Sequence, residues 1–305
     1  MSKKIQIAFV LFIGIAVIGL VASQSSTRAQ QTMAGEWKAS VRDEPNKLQL
    51  NLERHTAKGN RNQMGQSYEF NELQGLSKEQ ANAGGPVKFS LVREAGRIDM
   101  EGSFQNGKGS GTFQFTGNPG FVAAMKTRGF DFEKDPKWSD NDEGERSEDR
   151  LFAATALNVT TALADDLVSS GFGHLNVEDL FKAAIFKVDS KFMREMKASG
   201  FPNLTMEDLV KARIFKIDAD FVTKVTQMGF DKEPFESLVK MQIFKVTPEF
   251  VSEVRNEGLT DLSVEDVVKL RIFKIDAEYI RRAKADGVPL EVEKLVQRKI
   301  GVGRN

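Results

Sequence analysis

KIDADFVTKVTQMGFDKEPFESLVKMQIF, residues 216–244, decides the fold because the chain on either side repeats it. Lys187, Lys216, Lys245 and Lys274 stand 29 residues apart, and so do Phe186, Phe215, Phe244 and Phe273. Phe192, Phe221, Phe250 and Tyr279 keep the same spacing, as do Gly200, Gly229, Gly258 and Gly287. Four columns at one period mark a repeat architecture. An earlier unit fits residues 158–186, with Val159, Gly171 and Leu180 in register. A still earlier one begins at Asn118-Pro119, reaches Phe121 and Gly129, and resumes at Leu151 after an insertion. The last unit starts at Lys274, loses one residue after Gly287 and ends at Ile300, giving about six units.

Each unit reads as two short helices. Asp189, Asp218, Thr247 and Asp276 supply an oxygen that caps the first helix, and Pro248 suits a first helical turn. Phe221, Val222 and Val225 form an apolar stripe, and the glycine column supplies a left-handed stop. Thr205 with Asp208, and Ser263 with Asp266, form a variant of the capping box that opens the second helix. Helices of two to three turns are marginal alone, so the units must stack. The Phe columns read as the core of that stack. Glu178, Glu207, Glu236 and Glu265 repeat, as do two lysine rows, Lys182, Lys211, Lys240, Lys269 and Lys187, Lys216, Lys245, Lys274. Acids near helix starts and lysines near helix ends offset helix dipoles. The other reading is a recognition track, for which Lys182, Lys211, Lys240 and Lys269 are the candidate partner-binding residues. The expectation favours dipole balance for the lysines, with binding held by exposed apolar positions.

Upstream the period changes to two. Leu48, Leu50 and Leu52 alternate with polar neighbours, as do Val87, Phe89 and Leu91, then Ile98, Met100, Gly102 and Phe104. Such alternation marks half-buried strands. Glu94-Ala95-Gly96 and Asn106-Gly107-Lys108-Gly109 read as hairpin turns, and Ser77 to Ala83 as a helical turn. Five or six strands are expected. Gly107-Lys108-Gly109-Ser110-Gly111 imitates a phosphate loop, but it lies between strands rather than before a helix. The expected fold is therefore α+β and multidomain. A small antiparallel β-meander domain (33–117) precedes an α-solenoid of about six two-helix repeats. The first repeat spans 118–157 and carries an acidic insertion at 131–150; the array with its C-terminal cap spans 158–305.

Lys3 and Lys4 precede the uncharged, mainly apolar residues 7–22, and Thr27-Arg28-Ala29 fits a small-x-small cleavage site. Residues 1–29 thus read as a cleaved signal peptide or an uncleaved membrane anchor. Either places the remainder outside the cytoplasm, periplasmic or tethered to the membrane. The 305 residues carry 43 basic and 43 acidic side chains, which argues against nucleic acid as a partner. Cysteine is absent and only His55 and His174 occur, so thiolate sites, disulfides and His-rich metal sites are excluded. Both histidines read as surface loop residues. The insertion at 131–150 holds 9 acids and 4 bases and reads as a solvated loop. Counting a calcium loop from Asp140 puts Gly144 at position 5 rather than 6, so that pattern fails.

Lys245-Val246-Thr247-Pro248-Glu249-Phe250-Val251 and the run Leu262 to Ile272 resemble helical repeats of bacterial envelope proteins. In some of these the repeats follow a membrane metallopeptidase of the beta-lactam-sensor/antirepressor type. The stretch from Phe89 to Gly96 and on to Phe113 is similar to a segment preceding such repeats. The resemblance covers residues 35–305 and implies an extracytoplasmic sensing or interaction part. No His-Glu-x-x-His motif is present, so peptidase activity is not implied. The expected function is a non-enzymatic scaffold that binds a protein partner of the cell envelope through its repeats. No catalytic, cofactor or metal site is expected. The alternative is a carrier or sensor enclosing an apolar or glycan ligand in the β domain.

Overall fold

The computed structural model describes residues 32–42, 46–55, 61–134 and 143–301. The expected signal or anchor at 1–29 lies outside them. Among them, seven antiparallel strands form one sheet: β1 (Thr32–Val41), β2 (Lys47–His55), β3 (Arg61–Glu69), β4 (Leu73–Gln74), β5 (Gly85–Arg93), β6 (Gly96–Gln105) and β7 (Lys108–Gly117). The strand order is β3-β2-β1-β7-β6-β5-β4, two meanders joined where β1 pairs with β7. Only the 3-10 turn Phe70–Glu72 separates β3 from β4, although these are the sheet's two edges. The sheet is therefore curled, its edges brought together at that end. Asn106 (φ 51°) and Gly107 (φ 73°) both take positive φ, as a two-residue hairpin turn demands.

Register puts every alternating apolar residue on one face: Leu52 opposite Trp37, Leu91 opposite Ile98, Met100 opposite Phe113, Ile98 opposite Phe115. Trp37 lies over Gly102, where an added Cβ would stand 2.7 Å from its ring. Its ring also meets Phe89 edge-on at 5.3 Å, and its indole N–H donates to the Glu101 carbonyl. Helix α1 (Lys78–Ala83), capped by Ser77, lies against β1, β6 and β7.

The remaining helices are α2 (Pro119–Lys126), α3 (Glu143–Leu157), α4 (Thr161–Ser169), α5 (Val177–Phe186), α6 (Ser190–Ala198), α7 (Met206–Phe215), α8 (Ala219–Gln227), α9 (Phe235–Ile243), α10 (Pro248–Asn256), α11 (Val264–Ile272), α12 (Ala277–Ala285) and α13 (Val292–Lys299). The chain is thus α+β, a curled antiparallel sheet followed by helices. Helix α3 revises the reading of 131–150 as a loop, because residues 143–150 are helical. Its far end buries Leu151, Phe152 and Ala154. The Phe152 ring stacks on Phe113 at 5.4 Å and meets Phe115 edge-on at 5.5 Å. Tyr68 donates its buried hydroxyl to the Ala156 carbonyl, 2.9 Å away, and burial pushes that phenol's pKa well up. Apolar contact made by its second half specifies this helix.

Start residues of α4, α6, α8, α10 and α12 recur every 29 residues. Each second helix ends on a residue in the left-handed region: Lys187, Lys216, Lys245 and Lys274 have φ of 52–58°, and Asn158 holds the equivalent place after α3. The following residue, Val188, Ile217, Val246 or Ile275, is buried and returns its N–H to a carbonyl five residues back. That bond closes the helix, and the next Asp or Thr opens another at once. Asp189, Asp218 and Asp276 accept from the N–H three residues on at 2.8–2.9 Å, and Thr247 does so at 3.2 Å. The glycines Gly200, Gly229, Gly258 and Gly287 end the first helices with positive φ. Helices α5, α7, α9, α11 and α13 touch in succession.

The centre of this packing is aliphatic rather than aromatic. Leu180, Leu209, Leu238, Val267 and Leu295 are buried in one 29-residue register (28 at the last step). Phe192 and Phe250 are buried, but Phe221, Tyr279 and the column Phe186, Phe215, Phe244, Phe273 are only half-buried. The half-buried rings lie at the rim, where Lys299 stands 4.4 Å from the Tyr279 ring centre. Arg213, 3.7 Å from the Phe192 ring centre, and Arg271, 4.9 Å from that of Phe250, cover the two buried rings with cations.

Candidate partner-binding face

In each second helix a glutamate, a lysine four residues later and an isoleucine three beyond that share one stripe, since i, i+4 and i+7 lie on one face. The stripes are Glu178-Lys182-Ile185, Glu207-Lys211-Ile214, Glu236-Lys240-Ile243 and Glu265-Lys269-Ile272. Stacking turns them into rows. Lys182 reaches Glu207 of the next unit at 2.5 Å, Lys211 reaches Glu236 at 2.6 Å, and Lys240 reaches Glu265 at 2.5 Å. Lys269 continues the ladder to Glu293. The carboxylate hydrogen bonds raise the pKa of Lys182, Lys211 and Lys269. The four lysines that sequence reasoning offered as partner-binding residues thus stand together on one face, each joined to a glutamate of the following unit. Exposed pairs of this kind contribute little each to stability.

Beside the ladder runs a row absent from the sequence reading. Ile185, Ile214, Ile243 and Ile272 are 48–52% exposed, and Ile300 extends the row at 55%. Isolated exposed apolar side chains are ordinary. Val168 on α4 is one, since its equivalents are Lys197, Thr226 and Arg255. A half-exposed isoleucine at the same place in every unit from α5 to α11 is a regular apolar stripe rather than a scattered residue. Its signal was the 29-residue isoleucine column itself, hidden among apolar helix positions that read as core.

Beyond the isoleucines, the helix-ending lysines Lys187, Lys216, Lys245 and Lys274 form a third row, all exposed. Left-handed geometry costs a residue with a Cβ about 1–2 kcal/mol, which glycine avoids. Neighbouring units secure the carbonyls there. Gln242 donates to the Lys216 carbonyl, Arg271 to that of Phe244 and Lys299 to that of Lys274.

Elsewhere the polar groups answer one another. An open depression of about 490 Å³ on the outer side of β5–β7 is lined by Lys88, Ser90, Arg97, Asp99, Glu101 and Gln114. Asp99 accepts from Ser90 at 2.5 Å and from Arg97 at 2.6 Å, and Lys88 pairs with Glu101. Another, of about 540 Å³, lies open between α12 and α13, where Arg298 pairs with Asp286. His174 is exposed in the loop before α5. Among the described residues no group of three or more His, Asp or Glu is placed to hold a metal ion, and no single helix is long and apolar enough to cross a membrane. In comparisons with known proteins, no family model, no curated protein and no solved structure matches this chain.

Proposed function

We propose that the chain is a non-enzymatic interaction scaffold of the bacterial cell envelope. In this reading α2–α13 build a solenoid of six two-helix units, and a protein partner docks along their isoleucine row. The row carries the argument. Each isoleucine is about half exposed at the same place in consecutive units, while the neighbouring Leu180, Leu209 and Leu238 are fully withdrawn. Export rests on Lys3-Lys4 followed by the apolar residues 7–22, cleaved as a signal or kept as an anchor. The repeats' resemblance to those of envelope proteins agrees with that location.

A ligand carrier would need space between the strands. The apolar side of the sheet is instead occupied by Trp37, Phe89, Phe113, Phe115 and the Phe152 ring from α3. The scaffold reading is tested by affinity capture from envelope extracts, comparing the native chain with a fourfold Ile185/Ile214/Ile243/Ile272→Ser variant. One partner retained by the native chain and lost by the variant is expected. Equal capture by both chains, with circular dichroism unchanged, would remove the row from the account.

A further inference from the structure

The unpaired lysine row says what kind of partner segment the face takes; the inference rests on the scaffold reading and deepens it. Lys182, Lys211, Lys240 and Lys269 are engaged by glutamates, but among the described residues the ammonium groups of Lys187, Lys216, Lys245 and Lys274 make no ion pair or hydrogen bond. Each occupies a left-handed position where glycine or asparagine would be less strained, as Asn158 illustrates. A cation placed there four times, at a conformational cost and without an internal partner, is available to an external anion. It stands two residues from an exposed isoleucine, so each unit offers one apolar contact and one positive charge.

We propose that this double row binds an acidic segment of a partner protein in the polyproline II conformation, with an apolar side chain at every third residue and a carboxylate next to it. Packed helices lie about 8–10 Å apart, which sets the distance between successive isoleucines. A polyproline II chain has three residues per turn and a rise of about 3.1 Å each, so equivalent side chains recur every 9 Å or about that. A strand repeats its face at roughly 6.6 Å, and a helix does so at about 5.4 Å per turn or about 10.5 Å seven residues on; the polyproline II repeat falls within the spacing of packed helices and these do not. The glutamates of the same face, Glu207, Glu236 and Glu265, are each engaged by a lysine, so the charge left beside the isoleucines is that of the second lysine row.

The test uses the full chain and a fluorescent peptide of four Glu-Leu-Pro triplets, read by anisotropy. Binding is expected to weaken as salt rises. It should fall at least tenfold in the fourfold Lys187/Lys216/Lys245/Lys274→Gly variant, which keeps the left-handed geometry, and in the fourfold Ile→Ser variant. Unchanged affinity in the glycine variant would overturn the proposal. So would equal binding of a Lys-Leu-Pro peptide, or displacement of the acidic peptide by phosphatidylglycerol vesicles. If the peptide does not bind while the Ile→Ser variant still loses its envelope partner, this inference fails and the scaffold reading stands. If the peptide does not bind and that variant also keeps its partner, both fail.

Discussion

At the residue scale, the left-handed lysines separate what a sequence discloses from what it hides. Gly200, Gly229, Gly258 and Gly287 announce their positive φ, because glycine is the residue that adopts it freely. Lys216 gives no such signal; the clue was Asn158, in the same column and tolerant of that geometry. Lys216→Gly is accordingly expected to keep stability or raise it by up to about 1 kcal/mol, whereas Lys216→Val lowers it by about 1–2 kcal/mol. Urea titration of the two variants checks the order, and a glycine variant less stable than the valine one contradicts it. Aliphatic centre and aromatic rim make a second contrast. Leu209→Ala should cost about 2–5 kcal/mol, as a fully buried leucine does, and Phe221→Ala distinctly less because its ring is half in water. Equal losses in denaturant unfolding would restore the aromatic columns to the core.

At the scale of elements, local chemistry was legible and tertiary support was not. Helix starts at Ser190, Ala219, Pro248 and Ala277 follow from the capping residue just before each, a signal contained in a few residues. Strand β3 is mostly polar and has no clear alternation; it exists through its ladder to β2 and the anchoring of Tyr68. The first half of α3 is acidic and reads as a loop, while the rings that Phe152 meets lie almost forty residues upstream. One junction between elements turns on a carboxylate. Asp166 on α4 accepts from the Ser190 hydroxyl at 2.6 Å and from the Ser190 N–H at 2.7 Å, where α6 begins, and these bonds hold its carboxyl below the usual range. A carboxylate lowered on folding contributes stability above its unfolded pKa of about 4, and that contribution disappears as pH falls through the folded value. Thermal melts between pH 6 and pH 2.5 should therefore show a smaller acid loss in Asp166→Asn than in the native chain. Parallel pH profiles would mean that this contact does not link α4 to α6 in solution.

At the scale of the whole molecule, α3 joins the two halves. It lies against β3, β5, β6 and β7 on one side and α5 on the other, so the apolar face of the sheet is completed by a residue from the helical half. Phe152→Ala should destabilise by about 3–5 kcal/mol, because it leaves a void beneath Phe113 and Phe115. Hydrogen exchange should then rise in β6 and β7 as well as in α3. Faster exchange confined to α3 would mean that the sheet closes without it. The repeat period was readable because it recurs within one chain, and the isoleucine row was readable in principle from the same columns. Its exposure was not, since stacking alone decides which face of α5, α7, α9 and α11 meets water.

If the isoleucine row is a docking surface, it is occupied in the cell. A photo-activated cross-linker placed at Ile214 or Ile243 in the full chain, compared with the same group at the exposed Lys224 or Glu253 on α8 and α10, measures this directly. Attachment to one envelope protein from both isoleucine positions, and from neither control, is expected. No adduct from the isoleucine positions, or the same adduct from all four, would contradict it.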